Sequence, residues 1–260
     1  MNFELFESLP IAWFYVGVAI IMLAFCEVGY QFGLHAQTRQ DKEAPTSLGP
    51  MVGGLLGMLA FVLAFTFSMA SSQHDFRKQN VLEEASSIGT AYLRADLIDK
   101  QYGIEVKRLL REYVDVRLKA ASGSDIDTAL EKSVEIHNLL WAQVSSAALE
   151  NPGANTSLMI QVINDVIDMH EKRVIGALHN RIPISVWIAL AAITALTMIA
   201  MGSQVGLTGK RRLIAVIPLT LAFAVLVTLV VDLNRPQNGL ITVGQQSMVD
   251  LQSSMARETE

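Results

Sequence analysis

Six charged side chains of this sequence have the chemistry to pair with one another or to bind an inorganic anion. Glu84 and Arg94 lie ten residues apart on one helical pattern, which is too far for them to pair along that helix. Each therefore needs a partner on another helix, on another subunit or in water. Guanidinium groups form strong, often bidentate pairs with carboxylates and other anions. The other four candidates are Arg77, Arg117, Asp232 and Arg235.

These residues allow two interpretations. In the first, they form a network that fixes how the helices dock, and Asp232 and Arg235 have the spacing of a local helical pair. The carboxylates that Arg94 and Arg117 can meet in the bundle are then those of Glu83, Glu84 and Asp115. In the second, Arg77, Arg94 or Arg235 coordinates an anion at a vestibule.

Enzymatic chemistry has no recognisable pattern here. The sequence contains no phosphate-binding loop, no serine in a glycine-flanked elbow and no glycine-rich dinucleotide turn. The histidines lack the two-histidine spacing of a metal site; they are His35, His74, His137, His170 and His179. Cys26 is the one cysteine, so no intrachain disulfide or multi-cysteine metal site can form. We therefore expect no enzyme, no metal and no cofactor.

The composition indicates a membrane protein. Hydrophobic residues make up 51% of the 260 residues, and four apolar runs are long enough to cross a hydrocarbon core of about 30 Å as helices. These runs are 9–26, 50–72, 182–207 and 213–231. The net charge is -5, and no Lys/Arg stripe alternates with aromatic residues. We therefore expect the lipid bilayer, and no nucleic acid, as a partner.

The region between the second and third runs has only helical patterns. From Gln73 the pattern becomes amphipathic without a break, which predicts that the second span continues as one long helix. Gly103 marks the expected end of that region, and further helices are predicted at 104–121, 126–149 and 157–179. The sequence thus predicts an all-α integral membrane protein, with four transmembrane helices and a helical extramembrane bundle between spans two and three. The predicted divisions are 1–72 (spans one and two), 73–181 (bundle), 182–231 (spans three and four) and 232–260 (an amphipathic helical tail).

The second span carries two surfaces of different character. Phe61 and Phe65 lie one behind the other on one face. An adjacent narrow stripe holds only small residues, Gly53, Gly57, Ala60, Ala64, Ser68 and Ser71. Small residues at this spacing let helices pack closely in lipid. Alternatively, copies of this helix surround an axis, so that one face lines a pore and the phenylalanines form an apolar constriction that gates by dewetting.

Several motifs resemble the signature of the bacterial bestrophin-like family of membrane proteins. They are 65–70 (FTFSMA), 83–97 (EEASSIGTAYLRADL), 111–118 (REYVDVRL) and 232–239 (DLNRPQNG), followed by Gln245 and Gln246. The resemblance implies a bestrophin-type plan, with a helical block between the second and third of four membrane helices. In bestrophins proper the assembly is a pentamer, the second span lines an anion-selective pore with an apolar neck, and the helical block is cytosolic.

Carried over residue by residue, the resemblance places the neck at Phe61 and Phe65, with Phe67 as a neighbour. Two departures stand out. The polar and aromatic pattern that follows the neck in bestrophins is matched only in part by 71–77 (SSQHDFR). The acidic calcium clasp of the animal members has no counterpart, because Asp125 and Asp127 lie alone in a turn.

The basic residues nearly balance across the membrane. The loop between spans three and four holds Lys210, Arg211 and Arg212, and the positive-inside rule would place that loop in the cytoplasm. The domain side of the spans is basic as well, with Arg77, Lys78, Lys172, Arg173 and Arg181. The resemblance favours a cytosolic bundle, in a multi-pass protein of the bacterial inner membrane.

Two hypotheses follow, and both require a homo-oligomer. In the first, the protein is a bestrophin-like ion channel for inorganic anions, with its pore along the second span and an apolar phenylalanine constriction; the resemblance favours a pentamer. In the second, it is a membrane-anchored scaffold or sensor whose helical bundle binds a partner without ion conduction. A second span buried wholly in helix packing would favour the scaffold.

Overall fold

The computed structural model describes residues 10–39, 48–123, 125–178, 181–208, 213–235 and 239–258. The regular structure of these residues is helical throughout, so the all-α prediction is confirmed. A 3₁₀ turn at Ala95–Leu97 follows the second α-helix. The α-helices in chain order are α1 Ile11–Arg39, α2 Gly49–Arg94, α3 Lys100–Ala121, α4 Ile126–Glu150, α5 Ala154–Leu178, α6 Ile184–Leu207, α7 Leu213–Asn234 and α8 Gln246–Arg257.

Four of these helices, α1, α2, α6 and α7, are long and apolar enough to cross a membrane. The prediction of four membrane helices is therefore confirmed, and the chain is a membrane protein. The first helix differs from its prediction, because α1 continues past Cys26 to Arg39. Glu27 does not end it, since one charged residue leaves the helical hydrogen bonds intact and no proline interrupts them. The predicted start at Leu9 and the basic loop 210–212 lie outside the described residues.

The second span continues as one helix, as predicted. The helix α2 has 46 residues, of which 50–72 are uncharged. The expected break at Gly103 is wrong, because the chain leaves α2 at Ala95–Leu97 and Gly103 lies inside α3. The carbonyl oxygen of Ala95 occupies the place where a side chain at residue 103 would lie. A glycine is therefore needed there for a close approach and does not end a helix.

The chain divides into two compact units. The first, called the membrane unit, comprises Met1–His74 and Arg181–Thr242 as far as they are described. The second, called the bundle unit, comprises Asp75–Asn180 and Val243–Glu260. The helix α8, which we predicted as part of a separate tail, therefore belongs to the bundle unit.

Four glycines allow α1 and α6 to pack closely in the membrane unit. Gly29 and Gly33 of α1 face Gly202 and Gly206 of α6, and a Cβ atom added at Gly206 would lie 2.9 Å from the Cα of Gly33. The hydroxyl of Ser203 donates to the carbonyl of Gly29 at 3.0 Å. Backbones that approach this closely gain van der Waals contact, which drives helix association in lipid.

The bundle unit has its own apolar core. Fully buried side chains from α2 to α5 fill it, and Met248 and Met255 of α8 are buried against them. The amide of Gln252 on α8 donates to the Asp115 carboxylate on α3 at 2.6 Å. The tail helix therefore completes the core of this unit.

Candidate functional site

The residues predicted to line a pore lie on an exposed face of α2. Phe61 and Phe65 are 72% and 60% exposed. The small residues Gly53, Gly57, Ala60, Ala64 and Ser68 are exposed, and Ser71 is half-buried. Apart from Ser71, the set therefore points away from the other described helices of the membrane unit.

The opposite face of α2 carries the contacts within the chain. Leu59, Leu63 and Thr66 are buried, and at about 100° per residue they fall on the side of the helix away from Gly57. The hydroxyl of Thr66 donates to the carbonyl of Val62 at 2.7 Å, so its polarity is satisfied within the helix.

The glycines of the stripe have no packing role within the part of the chain that the structure describes. A Cβ atom added at Gly53 or Gly57 would meet no atom within 4 Å. This contrasts with Gly202, where an added Cβ would collide with the backbone at Cys26. The small-residue stripe therefore remains available to lipid or to another copy of the chain.

The structure gives contacts for most of the predicted charged residues. In the bundle unit, Arg117 pairs with Glu84, with 3.3 Å between Nε and Oε1. Arg94 donates instead to the carbonyl of Leu158 at 3.0 Å. Arg77 is buried in the same unit.

In the membrane unit, Asp232 accepts hydrogen bonds from the backbone amides of Leu240 and Ile241, both at 3.0 Å. Its carboxylate therefore holds the chain that returns after α7. The guanidinium of Arg235 lies 5.7 Å from the centre of the Phe14 ring. Within the DLNRPQNG motif, Asp232 therefore positions the backbone at Leu240 and Ile241. Residues 236–238 of the motif lie outside the described residues.

A buried polar cluster surrounds Glu84, which is fully buried. The Tyr113 hydroxyl donates to Glu84 Oε1 at 2.6 Å, and Arg173 bonds Oε2. Tyr113 also lies 3.1 Å from His170 Nδ1. The His137 and His170 rings meet edge to face, with centroids 4.9 Å apart. We call Glu84, Tyr113, Arg117, His137, His170 and Arg173 the Glu84 cluster.

Charges and burial set the protonation of this cluster. Burial raises the pKa of Glu84, but Arg117 and Arg173 outweigh it, so that the net pKa lies below its usual value. Burial lowers the pKa of His137 to about 4. Burial, assisted by the charge of Arg117, lowers the pKa of His170 to about 4. At neutral pH the cluster therefore contains one carboxylate, two guanidiniums and two neutral imidazoles.

Sequence reasoning missed most of this cluster. Only Glu84 and Arg117 were among the predicted site residues, whereas Tyr113, His137, His170 and Arg173 were not. A signal was present, because His137 and His170 occupy apolar positions in their helical patterns, where a polar ring requires buried partners. Among the described residues, no group of three or more His, Cys, Asp or Glu is placed to hold a metal ion.

Comparison with known protein families gives a match. A family model described as "Bestrophin-like domain" matches residues 18–248, a range that covers the larger part of both units. No curated protein matches the chain.

Proposed function

Because the chain belongs to the bestrophin-like domain family, we propose that it is an oligomeric channel for inorganic anions, with a pore along α2. Copies of α2 surround a central axis, and the exposed face of residues 53–68 lines or borders the opening. Phe61 and Phe65 form an apolar constriction that conducts only when it is wetted. The family resemblance favours five copies, in the bacterial inner membrane with the bundle unit in the cytosol.

One observation carries this proposal, namely the exposure of the uncharged face of α2. A face that packed within the chain would leave no surface for a pore. Here the phenylalanines and the small residues share one exposed side, while the buried side serves the fold. Small residues allow close approach of neighbouring copies. The two phenylalanine side chains of each copy together form an apolar constriction around the axis of the assembly.

The experiment is a flux assay on the purified protein in liposomes, with separate chloride and sodium gradients. Compared with the wild type, Phe61→Ala with Phe65→Ala should raise chloride flux several-fold, because smaller side chains widen and wet the constriction. Phe32→Ala is the matched control, because Phe32 is 63% exposed on α1, outside the proposed pore. It should leave the flux unchanged.

Three outcomes have distinct meanings. Chloride flux that grows only in the double variant supports the pore and its constriction. Equal growth in the Phe32→Ala control shows that loss of any exposed ring makes the membrane leak. Absence of chloride flux in both the wild type and the double variant, with the oligomer shown to be intact, overturns the channel hypothesis.

A scaffold is the second candidate, and an exposed stripe on α4 favours it. Val134, Trp141 and Leu149 are exposed apolar side chains of the bundle unit at spacings of seven and eight residues, which places them on one helical face. An apolar face of this kind suits a protein partner. Silence in the flux assay would leave this function as the better explanation.

A further inference from the structure

The Glu84 cluster joins five parts of the bundle unit at one buried point. Glu84 lies on α2, Tyr113 and Arg117 on α3, and His137 on α4. The fourth helix in the cluster, α5, supplies His170 and Arg173. Arg173 Nη2 donates to the side-chain oxygen of Gln245 at 3.2 Å, and Gln245 directly precedes α8. The cluster therefore connects four helices to the start of the fifth.

The hydrogen bonds of the cluster have a direction. An ionised carboxylate only accepts, so the Tyr113 hydroxyl donates its hydrogen bond to Glu84. The Tyr113 oxygen then accepts from His170, which places the proton of the neutral imidazole on Nδ1. The series of hydrogen bonds runs from His170 through Tyr113 to Glu84, and it forms with a neutral histidine.

A second proton on either imidazole adds positive charge to a cluster that is already positive. His137 Nε2 is buried and, among the described residues, has no hydrogen-bond partner, so protonation would create a buried N–H without an acceptor. The cluster already holds two guanidiniums against one carboxylate. Two imidazolium ions would raise its net charge from one positive charge to three, inside an apolar core.

We propose that the Glu84 cluster is an acid-sensitive latch that holds α8 to the bundle and opens when His137 and His170 take up protons. His170 and Arg173 lie three residues apart on α5, so a charge on His170 repels the guanidinium that bonds Gln245. Displacement of Arg173 releases Gln245, and α8 loses the polar attachment at the residue that precedes it. Besides each other, the charged and titratable groups among the described residues that face the two rings are Glu84, Tyr113, Arg117 and Arg173.

Hydrogen exchange tests the latch, measured by mass spectrometry on the full-length protein in lipid nanodiscs. From about pH 7 to about pH 4.5, after correction for the intrinsic rate, the opening constant of peptides covering α8 should rise by up to about tenfold per pH unit for each histidine. Peptides from α6 serve as the internal reference. The measurement requires no ion conduction, so its result is independent of the proposed channel.

The key variant combines His137→Phe with His170→Asn. Phenylalanine preserves the ring contact, and the asparagine amide supplies the N–H that Tyr113 accepts, but neither side chain titrates. The variant should keep α8 protected at about pH 4.5. His35→Asn is the control, because His35 is exposed on α1. In this variant α8 should lose its protection in acid as it does in the wild type.

If the double variant fails to fold, His137→Phe alone still tests the proposal. His137 Nε2 has no hydrogen bond to lose, and the loss of one titrating ring should halve the steepness of the pH dependence. Protection of wild-type α8 that persists at about pH 4.5 would overturn the latch. So would acid opening of equal steepness in wild type and in either histidine variant, since the protons would then bind elsewhere.

Discussion

At the scale of single residues, Glu84 is the carboxylate on which the buried polar cluster of the bundle unit converges. It is fully buried and bonds Tyr113 and Arg173, and Arg117 forms an ion pair with it. A buried ion pair contributes little net stability when both partners are present, but removal of one partner leaves the other charge uncompensated. The neighbouring Glu83 is exposed and accepts from Gln79 at 3.0 Å, so adjacent carboxylates have very different surroundings.

The substitution Glu84→Gln should destabilise the bundle unit by about 3 kcal/mol, because two guanidiniums lose their counter-charge in the core. Urea unfolding followed by the fluorescence of Trp141, which lies on α4, measures this loss. Glu83→Gln is the matched control and should change the unfolding free energy by less than about 0.5 kcal/mol. Equal effects of the two substitutions would contradict a special role for Glu84.

At the scale of elements, the α1–α6 contact depends on the absence of side chains. The four glycines allow backbone contact, and each pair is four residues apart on its helix. Gly17 of α1 shows the contrast, because a Cβ atom added there would meet no atom of the described residues within 4 Å. Glycines of one helix therefore differ in whether they allow another helix to approach, although nothing in the sequence distinguishes them.

Gly202→Ala should weaken the α1–α6 contact by about 2 kcal/mol, because the added methyl group forces the backbones apart. Unfolding in mixed micelles with increasing dodecyl sulfate gives the free energy. Gly17→Ala should be neutral or slightly stabilising, since alanine has the higher helix propensity. Loss of stability in both variants would mean that the effect comes from the helices themselves and not from their contact.

At the scale of the whole molecule, the exposed face of α2 requires a neighbour or lipid. Ala64 lies on this face as part of the small-residue stripe, next to the two phenylalanines on the helical wheel. In the proposed oligomer the equivalent positions of adjacent copies lie near the axis. A lipid-facing position such as Ile188 on α6, which is 63% exposed, lies outside that arrangement.

The variant Ala64→Cys, in a Cys26→Ser background, should form covalent dimers with a short bifunctional maleimide in native membranes. Ile188→Cys in the same background should not, because its neighbours are lipids. Gel electrophoresis after quenching shows the products. Cross-linking at Ile188 with none at Ala64 would place the contact between copies on another face and would contradict a pore along α2.

The sequence by itself determined the helical class, the four membrane spans and the continuity of α2. These features depend on local properties, namely the length of apolar runs and the 3.6-residue period, and each is readable from neighbouring residues. The motifs also indicated the family that the comparison found. The error at Gly103 was local too, because a glycine that ends a helix and one that admits a nearby carbonyl look the same in sequence.

Only the tertiary structure decided which polar groups meet. Glu84 bonds Tyr113 and Arg173, which lie 29 and 89 residues away, and nothing in the spacing distinguishes Arg173 from Arg94. The same holds for the glycines of α1 and α6, and for the exposed side of α2. Helical periodicity states which residues share a face, but the partner of that face depends on the packing of distant helices, which is set by the free energy of the whole fold.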